Sequence, residues 1–184
     1  MGLTARQAFL CAVLSVLTGC AGKDFVRADA EAFNYGQTNY AAVVAKLGPP
    51  TQTAVLVKND KNISAIAYAA TTARSAVFYF YDYLLVGSEF VSSRAEDKSD
   101  FDDSKVANIV KGRTTRPEVL KLFGKPGGYY VYPMIKSHEA EAAVYAYAET
   151  RGTVFSPQVF RKRLIVTFDA NGIVQDVEFI TGST

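Results

Sequence analysis

Residues that commonly carry out chemistry are scarce in this chain. Its 184 residues include two cysteines, one histidine and no tryptophan. A zinc site of the usual kind combines several cysteine and histidine ligands, which His138 without a free cysteine cannot supply. No nucleophile elbow, P-loop or GxGxxG motif occurs. We therefore predict a protein that is not an enzyme and uses no cofactor or metal. An enzyme built on a serine with His138, or on carboxylates, is the alternative.

The chain also lacks a large excess of charge of one sign, since it has 20 lysines and arginines and 18 aspartates and glutamates. The basic block Arg161–Arg163 is interpreted as the solvated start of a strand, with a weak contact to anionic lipid as the alternative. Asp100, Asp102 and Asp103 lack the glycine and the distal glutamate of a calcium loop. Neither cluster predicts a nucleic-acid partner or a calcium site.

A long hydrophobic run is missing too, because the apolar stretch Ala8–Val16 is too short for a stable membrane span. With Arg6 before it, the stretch is typical of an export signal. The run Leu17–Cys20 is similar to a bacterial lipobox, in which the cysteine is acylated and becomes the mature N-terminus. Residues 1–19 are therefore predicted to be a lipoprotein signal peptide, with lipid such as palmitate on Cys20. A short buried segment with an incidental cysteine is the alternative.

The second cysteine, Cys11, lies inside this signal. The mature chain would keep only Cys20 and could form no internal disulfide. Residues 20–27 are interpreted as a tether. By resemblance to enterobacterial lipoproteins, Ala21 after the cysteine favours the outer membrane. The predicted location is thus the outer membrane, lipid-anchored and facing the periplasm.

The rest of the chain contains two similar segments, 36–50 and 112–126, which align without a gap. Both begin with a glycine, and both end with a second glycine and a proline at matching places. Thr115 and Glu118 form a capping box for a helix in the second segment, and Asn39 is an equally good helix cap in the first. The match predicts an internal duplication.

The predicted fold class is α+β, with two tandem helix-helix-β-meander repeats that form a helix layer on an antiparallel sheet. The first repeat spans residues 28–91, a polar linker spans 92–103 and the second repeat spans 104–184. Leu164, Val166 and Phe168 are predicted to face the core. Phe78, Phe80 and Ile165 are predicted to lie on the open sheet face, or under a loop, and to contact a partner protein. Core packing is the alternative role for these aromatic side chains.

The stretch Ile109–Pro126 resembles the signature of the SmpA/OmlA (BamE-like) family of bacterial envelope lipoproteins. The stretch Phe168–Phe179 is similar to the last hairpin of that family. The doubled arrangement also resembles β-lactamase inhibitor proteins, whose open sheet face binds the enzyme. The resemblance assigns no binding residue, and Gly112, Thr114, Gly124 and Pro126 are interpreted as structural.

These resemblances imply an outer-membrane-anchored lipoprotein that binds envelope proteins and supports outer-membrane protein assembly or envelope integrity. The alternative is an inhibitor or accessory subunit that binds a periplasmic enzyme or a secretion complex through its open sheet face. The expected partners are therefore envelope proteins of the outer-membrane assembly or secretion machinery. The lipid would attach the protein to the membrane.

Overall fold

A computed structural model describes residues 24–70, 73–153 and 156–183. Eight strands form one sheet in which every strand pairs antiparallel with the next strand along the chain. The strands are β1 (Gln52–Lys58), β2 (Lys61–Ala69), β3 (Arg74–Tyr81), β4 (Leu84–Ser92), β5 (Gly128–Tyr130), β6 (Glu141–Thr153), β7 (Ser156–Phe168) and β8 (Val174–Ser183). The helices are α1 (Arg27–Ala30), α2 (Tyr40–Leu47), a 3-10 helix (Asp103–Asn108) and α3 (Arg116–Phe123).

The predicted fold class is wrong, because the sheet and not a helix layer makes up most of the molecule. The two longest helices in the described residues, α2 and α3, have eight residues each, whereas β6 and β7 have thirteen residues each. The segment 136–150, whose alanines and glutamates favour a helix, instead supplies most of β6. Pairing with β5 and β7 thus outweighs the weak helical preference of these residues. The division of the chain at residues 92–103 stays a prediction.

The two aligned segments make equivalent contacts at their first glycines. Gly36 and Gly112 have φ angles of +71° and +74°, which glycine adopts at little cost. The N–H of Gly36 donates to the carbonyl of Leu85 (2.8 Å), and that of Gly112 donates to the carbonyl of Val174 (2.7 Å). Tyrosine hydroxyls make the matching bonds at the helix ends: Tyr68 to Gly48 (3.0 Å) and Tyr145 to Gly124 (3.1 Å). Each corner therefore fastens one eight-residue helix to the sheet.

The helices cover one face of the sheet, which we call the helix face, and two hydrophobic cores lie beneath them. Helix α2 and strands β2–β4 enclose the first core, and α3 and strands β6–β8 enclose the second. Leu164, Val166 and Phe168 are fully buried in the second core, which confirms their predicted core position. A third cluster lies on the opposite face, where Met134 from the segment 131–140 packs against Ile63 and Val144.

Strands β4 and β5 join the two halves of the sheet through a short contact, with Gly87 opposite Tyr130 as its registered pair. A Cβ atom at Gly128 would lie 2.0 Å from the carbonyl oxygen of Ser88. The Tyr35 hydroxyl spans this join, because it accepts from the N–H of Tyr129 (3.0 Å) and lies 2.7 Å from the Ser88 hydroxyl. The join therefore depends on a close backbone approach that only glycine permits.

No helix in the described ranges is both long and apolar enough to cross a membrane.

Candidate binding groove

The sheet curls, so that residues of its first and last strands line the same groove on the face opposite the helices. We call this depression the open groove, and its volume is about 720 Å³. Gln52 of β1 stands on one wall and Ile180 of β8 on the other. The remaining lining residues are Ser75, Val77, Glu89, Val91, Ala146, Tyr147, Ala148, Val159, Arg161, Lys162, Arg163, Thr181, Gly182 and Ser183.

Alternation along the strands decides which side chains face the open groove. In β3, Ala76 and Phe78 are buried in the first core on the helix face, so the half-buried Val77 faces the groove. In β6, Tyr145 is buried in the second core on the helix face, and Ala146 and Ala148 line the groove. The small alanine side chains leave space above the sheet. The groove is open at this end and filled at the other by the segment 131–140.

The structure places the predicted binding residues away from an open surface. Phe78 and Phe80 are 0% and 2% exposed in the first core, so their predicted position on an open face is wrong. Ile165 is 8% exposed and lies on the same face as the groove, in the third hydrophobic cluster together with Met134. The prediction takes Phe78 and Phe80 of β3 to lie on the same face as Ile165 of β7. Because side chains alternate along a strand with a period of two, an error of one residue in aligning the two strands exchanges their faces. Direct contact of these three residues with a partner stays a prediction.

The predicted lipid attachment residue, Cys20, lies outside the described residues, and its acylation stays a prediction. His138 lies on the segment 131–140, where its ring stacks on Tyr132 with the ring centroids 3.5 Å apart. Within the described ranges, no three histidine, cysteine, aspartate or glutamate side chains are grouped to hold a metal ion.

A buried carboxylate stands on the floor of the open groove. Glu89 is 9% exposed, and one of its oxygens, Oε1, receives hydrogen bonds from three side chains. The Tyr79 hydroxyl donates over 2.9 Å, the Tyr130 hydroxyl donates as well, and Nη1 of Arg163 donates over 3.4 Å. The stacking of Tyr130 against Tyr79, edge to face with centroids 5.6 Å apart, fixes both rings. We call these four residues the Glu89 cluster.

The electrostatics of the Glu89 cluster keep the tyrosines protonated. Burial and then the negative charge of Glu89 raise the pKa of the Tyr79 and Tyr130 hydroxyls above the ordinary value. Burial lowers the pKa of Arg163, but the negative charge of Glu89 opposes this effect, and the net pKa is raised. Glu89 thus has two neutral donors and one cationic donor. The cluster is a fixed and largely compensated part of the groove floor.

Sequence analysis does not identify Glu89 as a site residue, because the residues around it predict only a strand of the first repeat. The available signal was a single charged residue inside the otherwise uncharged strand Leu84–Ser92. A lone charge there is either solvated or held by partners from neighbouring strands. The arginines of Arg161–Arg163 were interpreted as solvated strand residues, which does not reveal that β4 and β7 face each other across the groove.

Comparisons with known proteins do not assign this chain to a family. No family model matches the chain, so no match supports membership of the SmpA/OmlA family. No curated protein matches it either. Among solved structures, the crystal structure of a candidate β-lactamase inhibitor protein from Streptococcus mutans is similar, with a TM-score of 0.47 and 11% sequence identity. The similarity covers 84% of this chain and 94% of that chain. At this TM-score the likeness carries no argument about function.

Proposed function

We propose that this protein is a non-enzymatic binding protein that holds part of a partner protein in the open groove. The observation that carries this proposal is the groove itself, a concavity of about 720 Å³ on the sheet face that the helices leave uncovered. A concave surface can enclose a projecting segment or loop of a partner, which a flat surface cannot do. Among the described residues that line the groove, no serine or threonine is paired with a histidine.

The composition and rigidity of the groove support protein binding. Arginine is enriched among residues that dominate protein interfaces, and Arg163 lines the groove. The Glu89 cluster holds Arg163 in place before a partner arrives, which lowers the entropy lost on binding. Apolar contact is available at Val77, Val91 and Ile180. A fixed polar centre with an apolar rim can therefore bind a protein segment with defined geometry.

We further infer that the partner is an envelope protein and that Cys20 anchors the chain, through lipid, to the outer membrane on its periplasmic side. Two roles fit this setting. One supports outer-membrane protein assembly or envelope integrity, and the other is an inhibitor or accessory subunit of a periplasmic enzyme or secretion complex. The open groove favours the second role, because that role requires a partner on the uncovered sheet face.

A photocrosslinker placed in the groove should capture the partner. With p-benzoylphenylalanine at Ile180, which is 56% exposed on the groove wall, we expect crosslinks to one envelope protein in living cells. Val55 is the matched control, since it is 71% exposed but lies on the helix face, in register with Ser64 and Phe80. Mass spectrometry of the crosslinked species identifies the partner. Equal capture from both positions, or capture from Val55 alone, would show that the groove is not the binding surface.

The proposed lipid anchor on Cys20 leads to a separate prediction. Cys20→Ser should abolish incorporation of radiolabelled palmitate and shift the protein from the membrane fraction to the soluble fraction. Cys11→Ser is the matched control and should leave both readouts unchanged, because Cys11 lies in the proposed signal peptide. Palmitate labelling that survives Cys20→Ser would contradict the anchor and leave the groove proposal untouched.

A further inference from the structure

The open groove has more positive than negative charge when the ion pairs within the protein are taken into account. Arg161 and Arg163 line the groove from β7, and Glu89 is the acidic residue among the lining side chains. Glu89 already accepts three hydrogen bonds on Oε1, one of them from Arg163. Arg161 has no ion pair with any residue of the described ranges. The groove therefore carries uncompensated positive charge.

The neighbours of the two arginines leave their side chains uncovered. In register, Arg161 lies between Ala148 of β6 and Gly182 of β8, and Arg163 lies between Ala146 and Ile180. None of these flanking residues is acidic, and three of the four are alanine or glycine. Alternate residues of a strand lie on the same face, so the two guanidinium groups point into the groove from one side.

Lys162, which lies between the two arginines, differs from them because its charge is neutralised by ion pairs. Lys162 is 8% exposed on the helix face, where its ammonium group lies 2.9 Å from Asp100 and 3.1 Å from Asp103. Because side chains alternate along the strand, the basic run Arg161–Arg163 is divided between the two faces of the sheet. Its central charge is neutralised inside the protein, and its outer two charges are presented to the groove.

The Glu89 cluster orients one of these arginines. Glu89 contacts Nη1 of Arg163, and no other described residue accepts a hydrogen bond from its Nε or Nη2. The side chain of Arg163 is 42% exposed, so these donors are accessible from the groove. Arginine binds carboxylates through two parallel N–H donors, a geometry that favours a planar acidic group over other anions of the same charge.

We propose that the segment bound in the open groove is acidic and that Arg161 and Arg163 bind its carboxylate, while Val77, Val91 and Val159 contact apolar residues beside it. This inference rests on the proposed function and names the chemistry of the partner. Glu89 is then a positioning residue, because it acts on the partner through Arg163. An anionic lipid surface is disfavoured, since the two arginines face a concave wall of the sheet.

Selection of displayed random dodecapeptides on the full-length purified protein tests the proposal. Selected peptides should be enriched in aspartate and glutamate, and replacement of those residues by asparagine and glutamine should weaken binding at least about 10-fold. Arg161→Gln should weaken binding by a similar factor, and binding should fall as salt is raised. Arg161→Gln is the sharpest variant, because this exposed side chain has no ion pair among the described residues and its loss should leave the unfolding transition unchanged.

Arg113→Gln provides the matched control, since Arg113 is exposed at the second glycine corner and outside the groove. It should leave peptide affinity unchanged. Neutral or basic selected peptides, or acidic peptides that bind Arg161→Gln and the wild type equally, would overturn the proposal. Arg161-dependent binding to phosphatidylglycerol vesicles without binding to acidic peptides would overturn it in favour of lipid.

The two proposals fail in different ways. If neutral peptides crosslink to p-benzoylphenylalanine at Ile180, the groove is a protein-binding site and the acidic preference is wrong. If p-benzoylphenylalanine at Ile180 captures neither an envelope protein in cells nor any selected peptide, both proposals are wrong.

Discussion

Replacement of Phe78 by alanine should destabilise the protein by about 3–5 kcal/mol. The ring is 0% exposed and packs edge to face against Phe33 and Tyr68, with centroids 5.4 Å and 5.9 Å away. Val43 and Leu47 of α2 belong to the same core. Truncation would therefore open a cavity between the sheet and α2 that the neighbouring rings cannot fill by small shifts. Urea unfolding followed by circular dichroism measures the change.

Tyr83→Ala is the matched aromatic control, because Tyr83 is 81% exposed in the turn after β3. Its truncation should change the free energy of unfolding by no more than about 0.5 kcal/mol. If Phe78→Ala leaves stability within about 1 kcal/mol of the wild type and instead weakens partner crosslinking, the ring contributes to binding and not to the core. That result would restore the role first predicted for Phe78 from the sequence.

The glycine corners could be predicted from the sequence because their requirements are local. A positive φ at Gly36 and Gly112 and a cap at Asn39 or Thr115 depend on residues within a few positions of one another. The assignment of faces could not be made in the same way. Whether Phe78 or Tyr79 faces the helices depends on the register between distant strands, and a one-residue error exchanges core and surface.

The candidate site was harder to predict because its residues are distant in sequence. Glu89 is 41 residues from Tyr130 and 74 residues from Arg163, and each comes from a different strand. The sequence of one strand indicates that the charge of Glu89 requires partners, but it does not identify them. The three donors meet only because β3 through β7 are consecutive strands of one curled sheet, and that arrangement depends on long-range pairing.

The join between the halves of the sheet leads to the second large effect. Gly128→Ala should destabilise the protein by about 1–3 kcal/mol or more. The added Cβ would lie 2.0 Å from the carbonyl oxygen of Ser88 and 2.6 Å from its carbonyl carbon, and both are backbone atoms that no rotamer change can move. Strand β5 must therefore withdraw from β4. Amide hydrogen exchange should rise first at Phe90 and Val131, whose N–H groups bridge the join to Gly127 (2.9 Å) and Val86 (3.0 Å).

Gly182→Ala isolates the steric cause, because Gly182 is also a strand glycine but its added Cβ would meet nothing within 4 Å. That substitution should be neutral, or slightly stabilising through the unfolded chain. Equal effects of the two substitutions would mean that chain entropy and not backbone contact sets the cost. An unchanged stability in Gly128→Ala would show that β5 can shift freely. In that case the Tyr130 hydroxyl could not hold a fixed position beside Glu89, and the groove floor would lose the rigidity on which partner recognition depends.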